Sequence, residues 1–459
     1  MSAAPRLAFY GDDFTGSTDA MECLAAAGLR TVLFATPPSP EMLARFDELD
    51  AVGLAGNSRT FGPAEMEVRM PPILAALARF GAPILHYKVC STFDSAPETG
   101  SIGKVMDLAR DVLRTSTIPI VAGAPKLGRH SAFGTLFARH NVDGAVHRLD
   151  RHPTMSIHPV TPMHEADLRR HLAAQTGQRI ALLSAPRIAG STVAARRALE
   201  AALADKPEAL LIDLFDERDE VSVGTLLETM ATARQLFVVG SSGVEYALVA
   251  AWRQAGALPP EPPTLTAKPV GCLLVLSGSC SPATAAQITT ALASGFAGID
   301  IDPLALVTQP PDGPHAADLL HRIGEAASAG RSMVVHSSTG PGDAREARLI
   351  EYFGGAGATP AEARLRSGRA LTERLAVLLA RVLERTCFGR FVIAGGDTAS
   401  AAIRGLGIDA LEMVSPLAPG APICRALAPG RALHGQEMVL KGGQIGSHAY
   451  FLQARDGRI

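Results

Sequence analysis

Short apolar runs alternate with Ala/Leu-rich stretches of helical period along most of the chain. RLAFY is followed by TGSTDAMECLAAAG, then by TVLFA, AVGLAG, a long segment from Pro63 to Phe80, and PILHYK. This is the βαβ rhythm of a parallel sheet covered by helices. Further strands are predicted at Ile118 to Ala122, Ile180 to Leu183, Ala209 to Ile212 and Leu236 to Val239, the last feeding a helix from Gly243 to Gln254. The stretch GALPPEPPTLTAKP places five prolines in fourteen residues, which excludes a helix or an interior strand. Beyond it the rhythm restarts with GCLLVLSGSCSP, a helix from Ala283 to Ala293, MVVHSS, a long helix from Glu362 to Arg385, FVIAGGDT and a β-leaning tail, MVLKGGQIG. The expected fold class is α/β with two domains, each a largely parallel sheet covered by helices, and an active-site cleft between them. The boundaries read as 1–255, a Pro-rich linker at 256–269, and 270–459.

Composition narrows the function classes. At 459 residues the chain is too long for one ordinary core. Lys plus Arg total 43 against 45 Asp plus Glu, so no basic excess is available for a polyphosphate backbone and nucleic acid is not an expected partner. The 44 Gly and 32 Pro are spread without a repeat, which excludes collagen-like and disordered classes. The apolar run at the N-terminus meets two carboxylates at once, and later runs are interrupted well short of the roughly 20 residues that span a bilayer. A cytoplasmic protein with no membrane partner is expected. The six cysteines form no CxxC pair and read as buried or incidental thiols.

Two polar segments stand where first-domain strands end, the place where ligands sit in an open α/β sheet. Gly11-Asp12-Asp13-Phe14-Thr15-Gly16-Ser17-Thr18-Asp19 follows the first strand. Asp13 or Thr15 could be a plain N-cap there; alternatively Asp12 and Asp13 grip substrate hydroxyls or act as general base. Lys88-Val89-Cys90-Ser91-Thr92-Phe93-Asp94-Ser95 follows PILHY. Its cation beside hydroxyls and a carboxylate suits a small polyhydroxy acid, with Lys88 on the acid group and Asp94 and Ser95 on hydroxyls; a turn with a surface lysine is the plainer reading. Gly100 to Lys104 lacks the spacing of a P-loop. In the second domain Ser277-Gly278-Ser279 and Gly395-Gly396-Asp397-Thr398 each end a strand and open a helix, where free N–H groups favour phosphate oxygens. A tight turn is an equal reading of each taken alone; together with Gly442 and Gly443 of the tail they suggest a nucleotide pocket. His152, His158 and His164 are six apart, unsuited to one helix face, and read as an ordered loop; Gly354 to Gly357 also reads as a loop.

Taken together, GDDFTGSTDA, KVCSTFDSAPETGSIG, HPVTPM, SGSCSP, GGDTAS and KGGQIG, in this order from Tyr10 to about Gly446, resemble the four-carbon acid sugar kinase family. The resemblance implies a sugar-acid-binding N-terminal domain, an ATP-binding C-terminal domain and phosphoryl transfer with Mg²⁺. It implies substrate contacts from Asp12, Asp13, Arg59, Lys88, Ser91, Thr92 and Asp94, and ATP contacts from Ser277, Ser279, Gly395, Gly396, Asp397, Thr398 and Gly443. Which Asp is the base, and which residues hold the metal, stay open; a homodimer is compatible with the reading. Two departures stand out: Ser101-Ile102-Gly103 where relatives carry Asn-Ile-Gly, and Ile445 where an aromatic is common. The expected activity is ATP-dependent phosphorylation of a hydroxyl on a short four-carbon or branched five-carbon sugar acid or its oxo derivative. A non-catalytic sensor of sugar acid and nucleotide is the alternative. A dehydrogenase is disfavoured because no GxGxxG follows the first strand.

Overall fold

The computed structural model describes residues 4–46, 48–140, 143–158, 160–232, 234–355 and 358–458. The chain divides into two compact units, Met1–Pro263 and Thr264–Ile459. Each is a largely parallel α/β sheet, as the apolar rhythm predicts.

The strands of the first unit are β1 (Leu7–Gly11), β2 (Thr31–Phe34), β3 (Ala51–Ala55), β4 (Ile84–Lys88), β5 (Ile118–Val121), β6 (Arg129–Ala132), β7 (Thr135–Arg139), β8 (Val146–Arg148), β9 (Ile180–Leu183), β10 (Ala209–Ile212) and β11 (Leu236–Gly240). Eight of them form a parallel sheet in the order β2-β3-β1-β4-β11-β5-β10-β9. All five residues of β1, β4 and β11 are buried, which is why these strands read as continuous apolar runs instead of alternating ones. The other three, β6, β7 and β8, form a small antiparallel sheet. The helix Pro63–Arg79 carries Pro71 and Pro72 in its interior, each removing a backbone donor. Met66, Met70, Leu74 and Leu77 are buried at helical spacing, and that apolar stripe holds the helix together across the two prolines.

In the second unit the strands are β12 (Leu273–Ser277), β13 (Ala297–Asp300), β14 (Met333–His336), β15 (Arg390–Ala394), β16 (Ala410–Ser415), β17 (Ile423–Leu427) and β18 (Glu437–Lys441). β13, β14, β12, β15 and β18 are parallel neighbours in that order, and β17 and β16 continue antiparallel. Leu273, Val275, Val334, Val392, Ile423, Val439, Tyr450 and Phe451 build its core.

Two details differ from the sequence reading. The long helix starts at Pro360, two residues upstream of the predicted start, because Thr359 and Glu362 make a reciprocal capping box. Gly354 ends the helix Ala344–Gly354 instead of beginning a loop, and 356–357 lie outside the described residues. All six cysteines are free thiols. Among the described residues no helix is long and apolar enough to cross a membrane.

Candidate active site

Parallel register brings the ends of β1, β3, β4 and β11 side by side: Gly11 pairs with Ala55 and Lys88, and Lys88 with Gly240. The pairing runs one residue further, since the Asp12 N–H donates to the Lys88 carbonyl at 2.8 Å and the Arg59 N–H to the Asp12 carbonyl at 3.0 Å. Asp12, Arg59 and Lys88 are thereby fixed by backbone contacts before any side chain is placed. Two residues earlier on β4, buried His86 lies with Nδ1 2.6 Å from Glu245 Oε1 and Nε2 3.2 Å from the Gly240 carbonyl, tying β4 to β11 beneath the site.

Asp13 is extended and caps the helix Phe14–Ala26, accepting the Gly16 N–H on Oδ1 at 2.6 Å. Its other oxygen accepts from Arg59 Nη1 at 2.6 Å. The same guanidinium grips Asp12 bidentately, Nη2 to Oδ1 at 2.7 Å and Nε to Oδ2 at 3.1 Å. One fork therefore bridges both carboxylates. The capping and functional readings of Asp13 are thus compatible. The Asp12 side chain is 3% exposed and that of Asp13 31%. Burial pushes the Asp12 carboxyl above the usual carboxylate range, with Arg59 opposing and Asp13 reinforcing.

Lys88 is buried, yet its amino group is held above its ordinary pKa: burial opposes the charge, and Asp19, Asp13 and Asp12 more than offset it. Its Nζ lies 3.3 Å from Oδ2 of Asp19, the last residue of the first polar segment, to which the sequence alone assigns no role. A Cβ on Gly16 would stand 3.0 Å from that Nζ and 2.6 Å from Asp13 Oδ1, so the glycine makes room for the cation beside the cap. Thr15 is half-buried on the same turn.

The loop after β4 holds a second cluster. Thr92 donates to Asp94 Oδ1 at 2.7 Å, and Cys90 Sγ lies 2.9 Å from the Thr92 hydroxyl. Burial, then the Asp94 charge, push the Cys90 thiol up to about 11, so it stays protonated and donates. Phe93 adopts a left-handed φ of 58°, a conformation costly for a bulky residue, and this turns the chain between Thr92 and Asp94. Ser91 is half-buried in the same turn. Ser95 Oγ accepts from Gln175 Nε2 at 2.9 Å and lies 2.8 Å from His171 Nε2. Burial pulls His171 down to about 4, so it is neutral at physiological pH. Gln175 Oε1 also accepts the Gly103 N–H at 3.2 Å and the Ser101 hydroxyl at 3.3 Å. Ser101, one of the departures, caps the helix Ile102–Leu113 through the Lys104 N–H. His171 and Gln175 escaped the sequence reading because they reach this loop from some 75 residues downstream with no local pattern to mark them.

In the second unit Ser277 pairs with Ala394 and Ala394 with Lys441, so three strand ends lie in a row. Gly278 donates its N–H to the Ala394 carbonyl at 3.0 Å, and Gly395 to the Lys441 carbonyl at 2.9 Å. The helix Gly396–Leu406 begins at Gly395, whose φ is 122°, and has no side-chain cap. Its first N–H groups have no intrahelical acceptor and are available to an anion. A Cβ on Gly396 would meet nothing within 4 Å, whereas one on Gly278 would stand 2.4 Å from Thr398 Oγ1. Gly396 thus borders open space, while Gly278 serves packing against Thr398. Asp397 is exposed in the first turn of that helix.

The turn at Gly442 and Gly443 is fixed by Lys441, which is fully buried. Its Nζ donates to Thr284 Oγ1 at 2.9 Å and to the carbonyls of Gly442 and Gly443 at 2.9 and 3.0 Å. Burial pulls this amine down to about 8. Ser281 and Thr284 hydroxyls also donate to the Gly443 carbonyl, and a Cβ on Gly443 would stand 3.0 Å from Ser279 Oγ. Ser277 and Ser279 are buried and bond locally, Ser277 Oγ accepting the Ser279 N–H and Ser279 Oγ the Ser281 N–H. Ile445 packs on the core as a partly buried residue.

Comparison with known proteins agrees with this division of motifs. Residues 7–248 match the sugar-binding N-terminal domain model, and 274–451 match the nucleotide-binding C-terminal domain model. The chain is 47% identical to a 3-oxo-isoapionate kinase of Paraburkholderia graminis, covering 99% of this chain and 94% of that one. It is 30% identical to a 3-oxo-tetronate kinase of Cupriavidus necator, covering 98% and 96%. A solved structure from Salmonella typhimurium LT2 aligns over 98% of each chain with a TM-score of 0.75 and 26% identity. The resemblance read from the six motifs is borne out: the chain belongs to the four-carbon acid sugar kinase family.

Proposed function

We propose that the chain transfers the γ-phosphoryl group of ATP to a hydroxyl of a short 3-oxo sugar acid, with 3-oxo-isoapionate as the first candidate. The carrying observation is the 47% identity over 99% of the chain to a kinase of that name, against 30% to a 3-oxo-tetronate kinase. The first unit supplies the acid site and the second the nucleotide site. Arg59 and Lys88 are the cations suited to an anionic acid, and Thr92, Asp94 and Ser95 the groups suited to its oxygens. Asp13, the more exposed of the two carboxylates, takes the proton of the attacking hydroxyl as its oxygen bonds to the γ-phosphorus and ADP departs. Asp12, buried under the Arg59 fork, is a positioning residue. The open N-terminus of the helix Gly396–Leu406 receives phosphate oxygens.

Mg²⁺ fits this reading through its donor chemistry: the exposed Asp397 offers a hard carboxylate oxygen in the turn assigned to the phosphates, and Mg²⁺ is commonly held by one or two carboxylates plus phosphates. When bound it neutralises phosphate charge.

The test is coupled ADP release over 3-oxo-isoapionate, 3-oxo-tetronates and the corresponding reduced acids. Turnover is expected to be highest for the branched oxo acid. No turnover with any of them, from folded protein that binds ATP, would overturn the kinase reading and favour a sensor.

A further inference from the structure

Outside the candidate active site, the hairpin joining β7 to β8 gathers two imidazoles and a carboxylate. His140, Asp143 and His147 present one ligand atom each, all within 4.8 Å of one another. His140 Nδ1 lies 3.0 Å from Asp143 Oδ1, and His147 Nε2 3.8 Å from Asp143 Oδ2. The first approach lacks the alignment of a hydrogen bond and the second is too long for one, and both nitrogens are shielded from solvent with no hydrogen-bond partner among the described residues. Buried polar atoms are ordinarily satisfied, so two such nitrogens converging on one carboxylate call for an explanation.

We propose that this hairpin binds one divalent transition-metal ion, Zn²⁺ above all, through His140 Nδ1, the Asp143 carboxylate and His147 Nε2. Two imidazoles and one carboxylate are a donor set that zinc sites use, with a water completing the tetrahedron. A single carboxylate oxygen beside two nitrogens is a poor match for Mg²⁺ or Ca²⁺. Ligands about 2.0–2.2 Å from a tetrahedral zinc stand roughly 3.3 Å apart; the 3.0 and 3.8 Å separations run to the two different oxygens of Asp143, and with one atom per residue the three lie within 4.8 Å, so the side chains need to close by no more than about 1.5 Å onto one ion.

The backbone prepares the site. Ala138 pairs with His147 across the two strands, the His140 N–H donates to the Ala145 carbonyl at 2.8 Å, and the Gly144 N–H returns to the His140 carbonyl at 2.9 Å. Asp143 Oδ1 accepts the Ala145 N–H at 3.0 Å, which orients the carboxylate. His152 packs edge-on against both rings, with centroids 5.3 Å from His140 and 5.8 Å from His147. Its Nδ1 is occupied by the Thr154 and Met155 N–H groups, so it walls the site without ligating. The His-rich segment of the sequence therefore contributes a wall, and the ligands come from the hairpin before it.

Tag-free full-length protein, stripped with chelator, is titrated with Zn²⁺ by calorimetry and with Co²⁺ by visible absorption. One equivalent of Zn²⁺ per chain, tetrahedral Co²⁺ bands and a higher thermal midpoint with metal are expected. His140→Ala and His147→Ala should each weaken Zn²⁺ binding by at least ~100-fold, the upper end of what losing a mere supporting partner costs. Should either fail to fold, Asp143→Asn carries the same test, since the amide still accepts the Ala145 N–H while ligating poorly. Absence of stoichiometric binding, or unchanged affinity in the folded variants, overturns the proposal.

Discussion

At Asp13 a single carboxylate accepts a helix N–H on one oxygen and an arginine on the other. Asparagine caps helices as well as aspartate does, so Asp13→Asn removes the charge while leaving the helix start in place. We expect turnover to fall about 10²–10⁴-fold, the usual worth of a positioned base, with ATP affinity within about twofold of the parent. Steady-state rates and ATP calorimetry check this, and equal losses in both would refute the assignment of Asp13 to the acid site. Residues such as Asp12, Asp13 and Lys88 were legible in the sequence because each sits within two positions of a strand end, where chain direction alone puts polar groups at the sheet edge. Arg59 was named only by resemblance, and its fork across both carboxylates is visible only in three dimensions. His140 and His147 were not legible, since a separation of seven residues means nothing until a hairpin folds them together.

At the scale of elements, two glycines chosen by one argument turn out to do different work. Gly278→Ala puts a methyl against Thr398 at 2.4 Å, so it should destabilise the second unit by about 1–3 kcal/mol, the usual cost of overpacking. A Cβ at Gly396 meets nothing within 4 Å, so in Gly396→Val the thermal midpoint should hold while ATP affinity drops at least about tenfold. Thermal melts beside ATP titrations separate the two, and a stability loss in Gly396→Val with normal affinity would contradict the open-terminus reading. The apolar strands were readable where burial on both faces leaves no alternation to misinterpret, as at Ala209–Ile212, which falls where predicted; the edge strand Ile180–Leu183 also does, although only Leu183 in it is fully buried. The β6–β8 sheet was not read, because RHSA, TLFAR and VHR are short, mixed in polarity and only partly buried.

For the whole molecule, the formal charge of −2 conceals strongly local electrostatics. An anionic acid approaching this chain meets little net field and is recognised only near Arg59 and Lys88, both largely shielded from solvent. Screening therefore has little long-range attraction to remove, and kcat/KM for the acid should change by less than about threefold between about 50 and about 200 mM salt. A steep fall over that range would point to steering by charges outside the cradle. The two polar clusters are each built from the strands of one unit alone, one before residue 263 and one after residue 264. Under the proposed division of labour, a change of acid needs substitutions only in the first stretch of the gene. The second is then free to keep its ancestral nucleotide turn, so the two halves of such a gene should diverge at different rates across descendants that adopt new carbon sources.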